Sequence, residues 1–171
     1  MAVTATTPGR IYLGAGDLTV ATVPVGATLE NIVFRLELEQ YFPKFNGVLG
    51  DVENTGFITR LVPHLVVTFG ELIGANLVWA IPGVTLTSGV SSEVISDFIP
   101  GCKGTGFDVI WTGTDCDGHT IQITVFRAIA TGNLEMEFSD DELTTYTIDF
   151  RGTYNPADPT VAPFSIVIDI A

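Results

Sequence analysis

The sequence is poor in positive charge: seven lysines and arginines stand against 20 aspartates and glutamates, a formal net charge of −13. A chain that grips nucleic acid needs cations to neutralise phosphates, and one that adheres to an anionic membrane needs them too. The composition argues against both. The acids are spread along the chain rather than gathered in a tail, which leaves one use near a polyanion, a wall that repels it. Cysteine is scarce as well. Cys102 and Cys116 fit free thiols as readily as one bridge, and cytoplasmic synthesis favours thiols. No uncharged apolar run approaches the roughly 18 residues of a membrane span. The opening MAVTATTPGRIYLG has no basic stretch followed by an apolar one, so no secretory signal is expected, and the chain reads as a soluble product of the cytoplasm.

What is abundant is apolar surface. Hydrophobic residues make up 46% of the 171 positions and include 11 phenylalanines, enough to bury a core without metal or disulfide staples, so one domain over 1–171 is expected. Short strand patterns dominate. IVFRLELE places Ile32, Phe34, Leu36 and Leu38 on one face and Val33, Arg35, Glu37 and Glu39 on the other. FITRLVPHLVVTF, Phe57 to Phe69, is a second strand, in which Pro63 cannot donate to a ladder and predicts an edge, a bulge or a break. Between them lies the long glycine-bearing connection of residues 41–57. One helix is predicted over 70–82, with Leu72, Ile73, Leu77 and Ile81 at helical spacing and Pro82-Gly83 as the stop. Further strands are predicted at about 83–87, 94–99, 106–112, 120–128, 133–138, 144–154 and 164–170, with Asp117-Gly118 as a hairpin turn. The fold class is therefore mainly β, a sandwich or barrel with one flanking α-helix.

Motifs for chemistry are thin. Asp115, Cys116, Asp117 and His119 could be imagined as metal ligands, but a calcium loop would need a glycine at its sixth position and a later glutamate, and turn chemistry explains the residues. GCKGTG lacks the order of a phosphate loop. No Gly-x-Ser-x-Gly elbow occurs, and His64 after Pro63 reads as a packed or solvent-facing residue rather than a general base. Glu135 and Glu137, two apart, share a sheet face without any cleft that would make them glycosidase acids. The expectation is no enzyme, no catalytic residue, no cofactor and no metal. The polar faces remain: Arg35, Glu37 and Glu39; Glu135 and Glu137; Thr147, Asp149 and Arg151. Alternation of this kind fits an ordinary sheet with one wet side, or a wall around an aqueous channel.

Taken in order, LELEQ before a glycine-bearing loop, then RLVPHLVVTFGELIGANLVWAIPGV, DGHTIQITVFRAIATGNLEMEFSDDELTTYTIDFRGTYNP and APFSIVID resemble the major tail tube protein of long-tailed, non-contractile bacteriophages, in the form met in phages of Gram-positive hosts. The likeness runs from about Gly9 to Asp169 and is one of ordered pattern. It implies a β-sandwich with a flanking helix, assembled with itself into hexameric rings stacked as a tube in the virion tail, whose bore passes double-stranded DNA without adhesion. It implies tail terminator, tape-measure and distal tail proteins as partners, and no membrane binding. A long loop between inner strands then reaches the adjacent ring, with Tyr41, Phe42, Phe45, Val48 and Leu49 as apolar anchors. Glu37, Glu39, Glu135, Glu137 and Asp149 would face the bore, with Arg35 and Arg151 accommodated by pairing to neighbouring acids. Two other readings stay open: the inner tube of a contractile injection or type VI secretion machine, and a stand-alone β-sandwich binding module. The second wants an exposed aromatic platform, whereas Trp79 and Trp111 sit in apolar surroundings.

Overall fold

A bulge organises the architecture. The computed structural model describes residues 16–26, 28–47, 50, 51, 53, 55–100, 104–114, 118–132, 134–136, 138 and 143–169, with only the backbone at 29–31. It contains β1 (Gly16–Val20), β2 (Val23–Pro24), β3 (Thr28–Tyr41), β4 (Phe57–Phe69), α1 (Gly74–Ala80), β5 (Thr85–Ser88), β6 (Glu93–Ser96), β7 (Phe107–Thr114), β8 (Thr120–Thr131), β9 (Tyr146–Arg151) and β10 (Phe164–Ile168). All pairings are antiparallel, in the order β2-β1-β7-β8-β9-β4-β3, with β10 also on β8 and β5-β6 forming a separate hairpin.

The near half of β8 pairs β7 and β10, and its far half, Ile129 to Thr131, pairs β9. Between them the β7 register slips by one, and Arg127 takes a positive φ of 49°. A bulge of this kind bends a strand and lets it serve two sheets. The bulge is held from several sides: the Arg127 amide donates to Asp108 Oδ1 at 2.9 Å, and Thr153 Oγ1 donates to the Arg127 carbonyl at 2.8 Å. Gly106 passes so close that an added Cβ would lie 2.6 Å from the Arg127 carbonyl oxygen. The result is a mainly β sandwich with one helix. Leu18, Val20, Val109, Trp111 and Val125 of one layer meet Leu65, Val67, Phe69, Ile148 and Phe150 of the other. Trimming one of these to alanine costs about 2–5 kcal/mol in comparable cores.

Pro63 does not break β4; of the edge, bulge or break the sequence predicts, the structure shows an edge position. It is buried opposite Leu36, and its carbonyl accepts the Gly152 amide at 2.9 Å, on the edge toward β9. The N and the carbonyl of one strand residue point to the same edge, so the absent donor falls where β9 has just ended and no β3 ladder bond is lost. The helix is shorter than the predicted 70–82. Gly70–Ile73 lead the chain out of β4, the Glu71 carbonyl accepts the Tyr146 hydroxyl at 2.9 Å, and Leu72 is 54% exposed rather than packed. Ile73 offers no side-chain cap, and Glu93 from β6 instead accepts the Gly74 amide at 2.9 Å. The strand expected at 133–138 reduces, among the described residues, to a single bridge, Met136 opposite Tyr146, because Gly132 at φ 107° turns the chain out of β8. Trp79 and Trp111 are core residues, as read from the sequence.

Candidate functional site

The side chains of Arg35, Glu37 and Glu39 emerge on one face of β3 because strand residues alternate. Pairing extends that face. Arg35 lies opposite His64, Glu37 opposite Val62 and Glu39 opposite Arg60, while Arg151 lies opposite His64 and Asp149 opposite Val66 across β4-β9. Three strands thereby gather the polar positions that the sequence alternation singled out. Asp149 is the centre. Its Oδ2 accepts from Arg35 at 3.1 Å and its Oδ1 is 2.9 Å from His64 Nδ1, which donates when the carboxylate is ionised. Glu37 stands 3.9 Å from Arg35 and 3.5 Å from His64 Nε2, too far for a hydrogen bond to the imidazole. Arg60 closes a separate pair with Glu39 at 2.7 Å.

The two arginines of β3 and β4 are thus matched to acids, while Arg151 makes no ion pair among the described residues. Glu37 and Glu39 remain more than half exposed, so the face stays hydrated, its three acids matched in number by Arg35, Arg60 and Arg151. Glu135 is exposed but lies beside the Met136–Tyr146 bridge, away from this cluster. Glu137 lies outside the described residues. His64, which sequence reading set aside, is 5% exposed and integral to the cluster. Its position, even-numbered like Arg60 and Val62 on the same strand, was the available signal, and Pro63 obscured it by hinting at a break.

The second feature is an arm. β9 reaches His64, and the segment after it touches β4 through the Gly152 amide on the Pro63 carbonyl and the Tyr154 hydroxyl on the Leu61 carbonyl at 3.0 Å; from there the β3–β4 ladder runs on to the pair Tyr41–Phe57. The apolar face expected to be buried along β3 is covered at Ile32 and Phe34 but not beyond: Leu36 and Leu38 are 37% and 52% exposed. Tyr41, Phe45, Phe57 and Ile58 are also exposed at the tip. Phe42 is half-buried, folded over Gly56, where an added Cβ would meet its ring at 2.6 Å. Gly47, at φ 86°, and Gly50 have nothing within 4 Å of an added Cβ, so a side chain would meet open space at both positions. Val48 and Leu49 lie outside the described residues, as do Cys102 and Cys116.

Chemistry beyond ion pairing is sparse. Among the described residues no group of three or more His, Cys, Asp or Glu side chains is placed to hold a metal, and no helix is long and apolar enough to cross a membrane.

No protein-family model matches the sequence, and no curated protein matches it. Among solved structures the chain is similar to a cryo-EM structure of the anti-feeding prophage cap, described as its tube terminating cap, with a TM-score of 0.53 over 98% of this chain and 96% of that one. The sequences are 13% identical, so what the two share is the fold, end to end.

Proposed function

We propose that this protein is a structural subunit of a phage-tail-like tube, assembling with itself into rings whose bore is lined by the ion-paired polar face of β3, β4 and β9. The observation that carries the reading is the joining, in one fold, of that hydrated, ion-paired face to an arm whose tip leaves Tyr41, Phe45, Phe57 and Ile58 exposed among the described residues. The fold shared with a tube terminating cap supports it. Ring symmetry repeats Glu37, Glu39 and Asp149 around a channel together with Arg35, Arg60 and Arg151, and because the acids engage Arg35 and Arg60, those cations are not free to hold DNA phosphates. Glu135 and Glu137 belong to the same lining in this reading. Tyr41, Phe42, Phe45, Val48 and Leu49 become contacts with an adjacent ring, where backbone groups of the connection find partners. The tube subunit of a long non-contractile tail, conducting double-stranded DNA and bounded by terminator, tape-measure and distal tail proteins, is the form proposed.

A second reading, that the chain is itself a terminating cap, follows from its sharing a fold with a tube terminating cap. Negative-stain electron microscopy of the purified protein, concentrated in moderate salt to screen its charge, separates them. Stacked hollow rings of indefinite length support the tube subunit. Single closed rings support the cap, and an absence of rings at every concentration removes both.

A further inference from the structure

The connection between β3 and β4 carries a chemistry that neither the ion pairs nor the packing uses. Asn46-Gly47 is the one Asn-Gly step in the sequence. Glycine has no side chain to shield its amide nitrogen, so after an asparagine that nitrogen reaches the carboxamide carbon of the preceding residue more readily than any other would. Structure decides whether it can. Both residues are exposed, and neither takes part in a hydrogen bond or ion pair among the described residues. A Cβ added to Gly47 would meet nothing within 4 Å, so the backbone there has room to turn. The other described asparagines are held differently. Asn76 is 1% exposed and donates from its side chain to the Val25 carbonyl at 3.0 Å. Asn155 precedes Pro156, which has no N–H, and its Oδ1 accepts the Ala157 amide at 3.0 Å. Asn31 precedes the β-branched Ile32 inside β3.

We propose that Asn46 is a site of spontaneous covalent modification, converted by the Gly47 nitrogen through a cyclic imide to aspartate and isoaspartate. That nitrogen attacks Asn46 Cγ; the N–Cγ bond forms, the Cγ–Nδ2 bond breaks, and Nδ2 leaves as ammonia with the proton given up by the Gly47 amide. Solvent water then opens the five-membered ring. Cleavage of the N–Cγ bond gives aspartate, and cleavage of the bond from the same nitrogen to the Asn46 carbonyl carbon gives isoaspartate, in which the backbone runs through the former side chain. Nothing is oxidised or reduced, and water is the only co-reactant. The consequence is local charge and shape. The connection already carries exposed Asp51 and Glu53 against exposed Lys44, and conversion adds a further carboxylate beside them, taking the net charge from −13 to −14. Isoaspartate also lengthens the main chain at the turn by one methylene. A free chain is thereby marked by its age. This goes beyond the tube reading and does not depend on it.

The test incubates the purified full chain for days near neutral pH and follows the tryptic peptide Phe45–Arg60 by mass spectrometry, with the same peptide made synthetically and incubated alongside. The expected result is the small mass gain of an amide-to-acid exchange, placed on residue 46 by fragmentation, with isoaspartate present beside aspartate. Asp117-Gly118 can close the same kind of ring, but isomerisation there leaves the mass unchanged and falls in another peptide. Two variants check the route. Gly47→Ala keeps the asparagine but shields the attacking nitrogen, and Asn46→Gln would need a six-membered ring; both should hold the peptide at its starting mass over the same days. An intact chain that stays unmodified while the synthetic peptide converts would show that the fold protects the step, and would overturn the proposal. So would a mass gain confined to other residues, aspartate formed without any isoaspartate, or conversion of Gly47→Ala as fast as that of the natural sequence.

Discussion

Tyr146 ties the base of the sandwich together: its ring stacks on Phe69 at 5.2 Å and its hydroxyl donates to the Glu71 carbonyl. Burial raises its pKa above the usual value of 10.0, an effect the Asn76 side chain partly offsets. A raised folded-state pKa means that the folded form holds the proton more tightly. Its contribution is complete below pH 10 and is lost as pH rises through the folded value. Urea unfolding midpoints should therefore fall above that pH, and Tyr146→Phe should flatten the fall while costing about 1 kcal/mol at neutral pH through the lost hydrogen bond. Asp149 invites a parallel test. Asp149→Ala removes the hydrogen-bond partner of buried His64 Nδ1 and the closer acid of Arg35, with an expected loss of about 1–3 kcal/mol in denaturant titration. Strand alternation alone put Asp149 on the same kind of polar face as Glu37 and Glu39. It said nothing of His64 as their link, because a contact between residues 85 apart in sequence depends on strand register, which local pattern does not carry.

Strands were the most legible elements, since β3, β4, β7, β8, β9 and β10 each announce themselves by alternation or by β-branched and aromatic content. The helix was legible in kind but not in extent. Its apolar spacing continued back to Leu72, yet the chain needs Gly70–Ile73 to turn, and the cap comes from Glu93, a residue no local pattern could nominate. Glu93→Ala should cost about 1 kcal/mol, as lost helix caps do, read as a lower thermal midpoint. The arm was visible as an overlong connection flanked by good strands. Its projection was not, because the exposure of Leu36 and Leu38 depends on where β9 ends. Deleting Phe45–Asp51 should leave circular dichroism and the thermal midpoint near those of the intact chain, since Phe45 is exposed and an added Cβ at Gly47 or Gly50 would meet open space, while abolishing polymerisation. Tubes of normal length from the deletion variant would refute the connector role.

For the whole molecule, composition carried the net charge, and order of elements carried the sandwich. What neither contained was the Arg127 bulge that lets β8 belong to both layers, a residue type that seldom adopts positive φ and gives no local warning. The bulge brings the layers together, the layers leave one sheet face polar and ion-paired, and the β3–β4 pair outruns both to form the arm. Acidic self-repulsion among copies follows from the net charge of −13, so assembly should strengthen with salt over the range that screens it. The central claim is that the β3–β4–β9 face lines a bore, and a cryo-EM reconstruction of the assembled protein tests it most directly. The account predicts a hollow ring with Glu37, Glu39 and Asp149 on its inner wall; those carboxylates on the outer surface, around any bore at all, would contradict it.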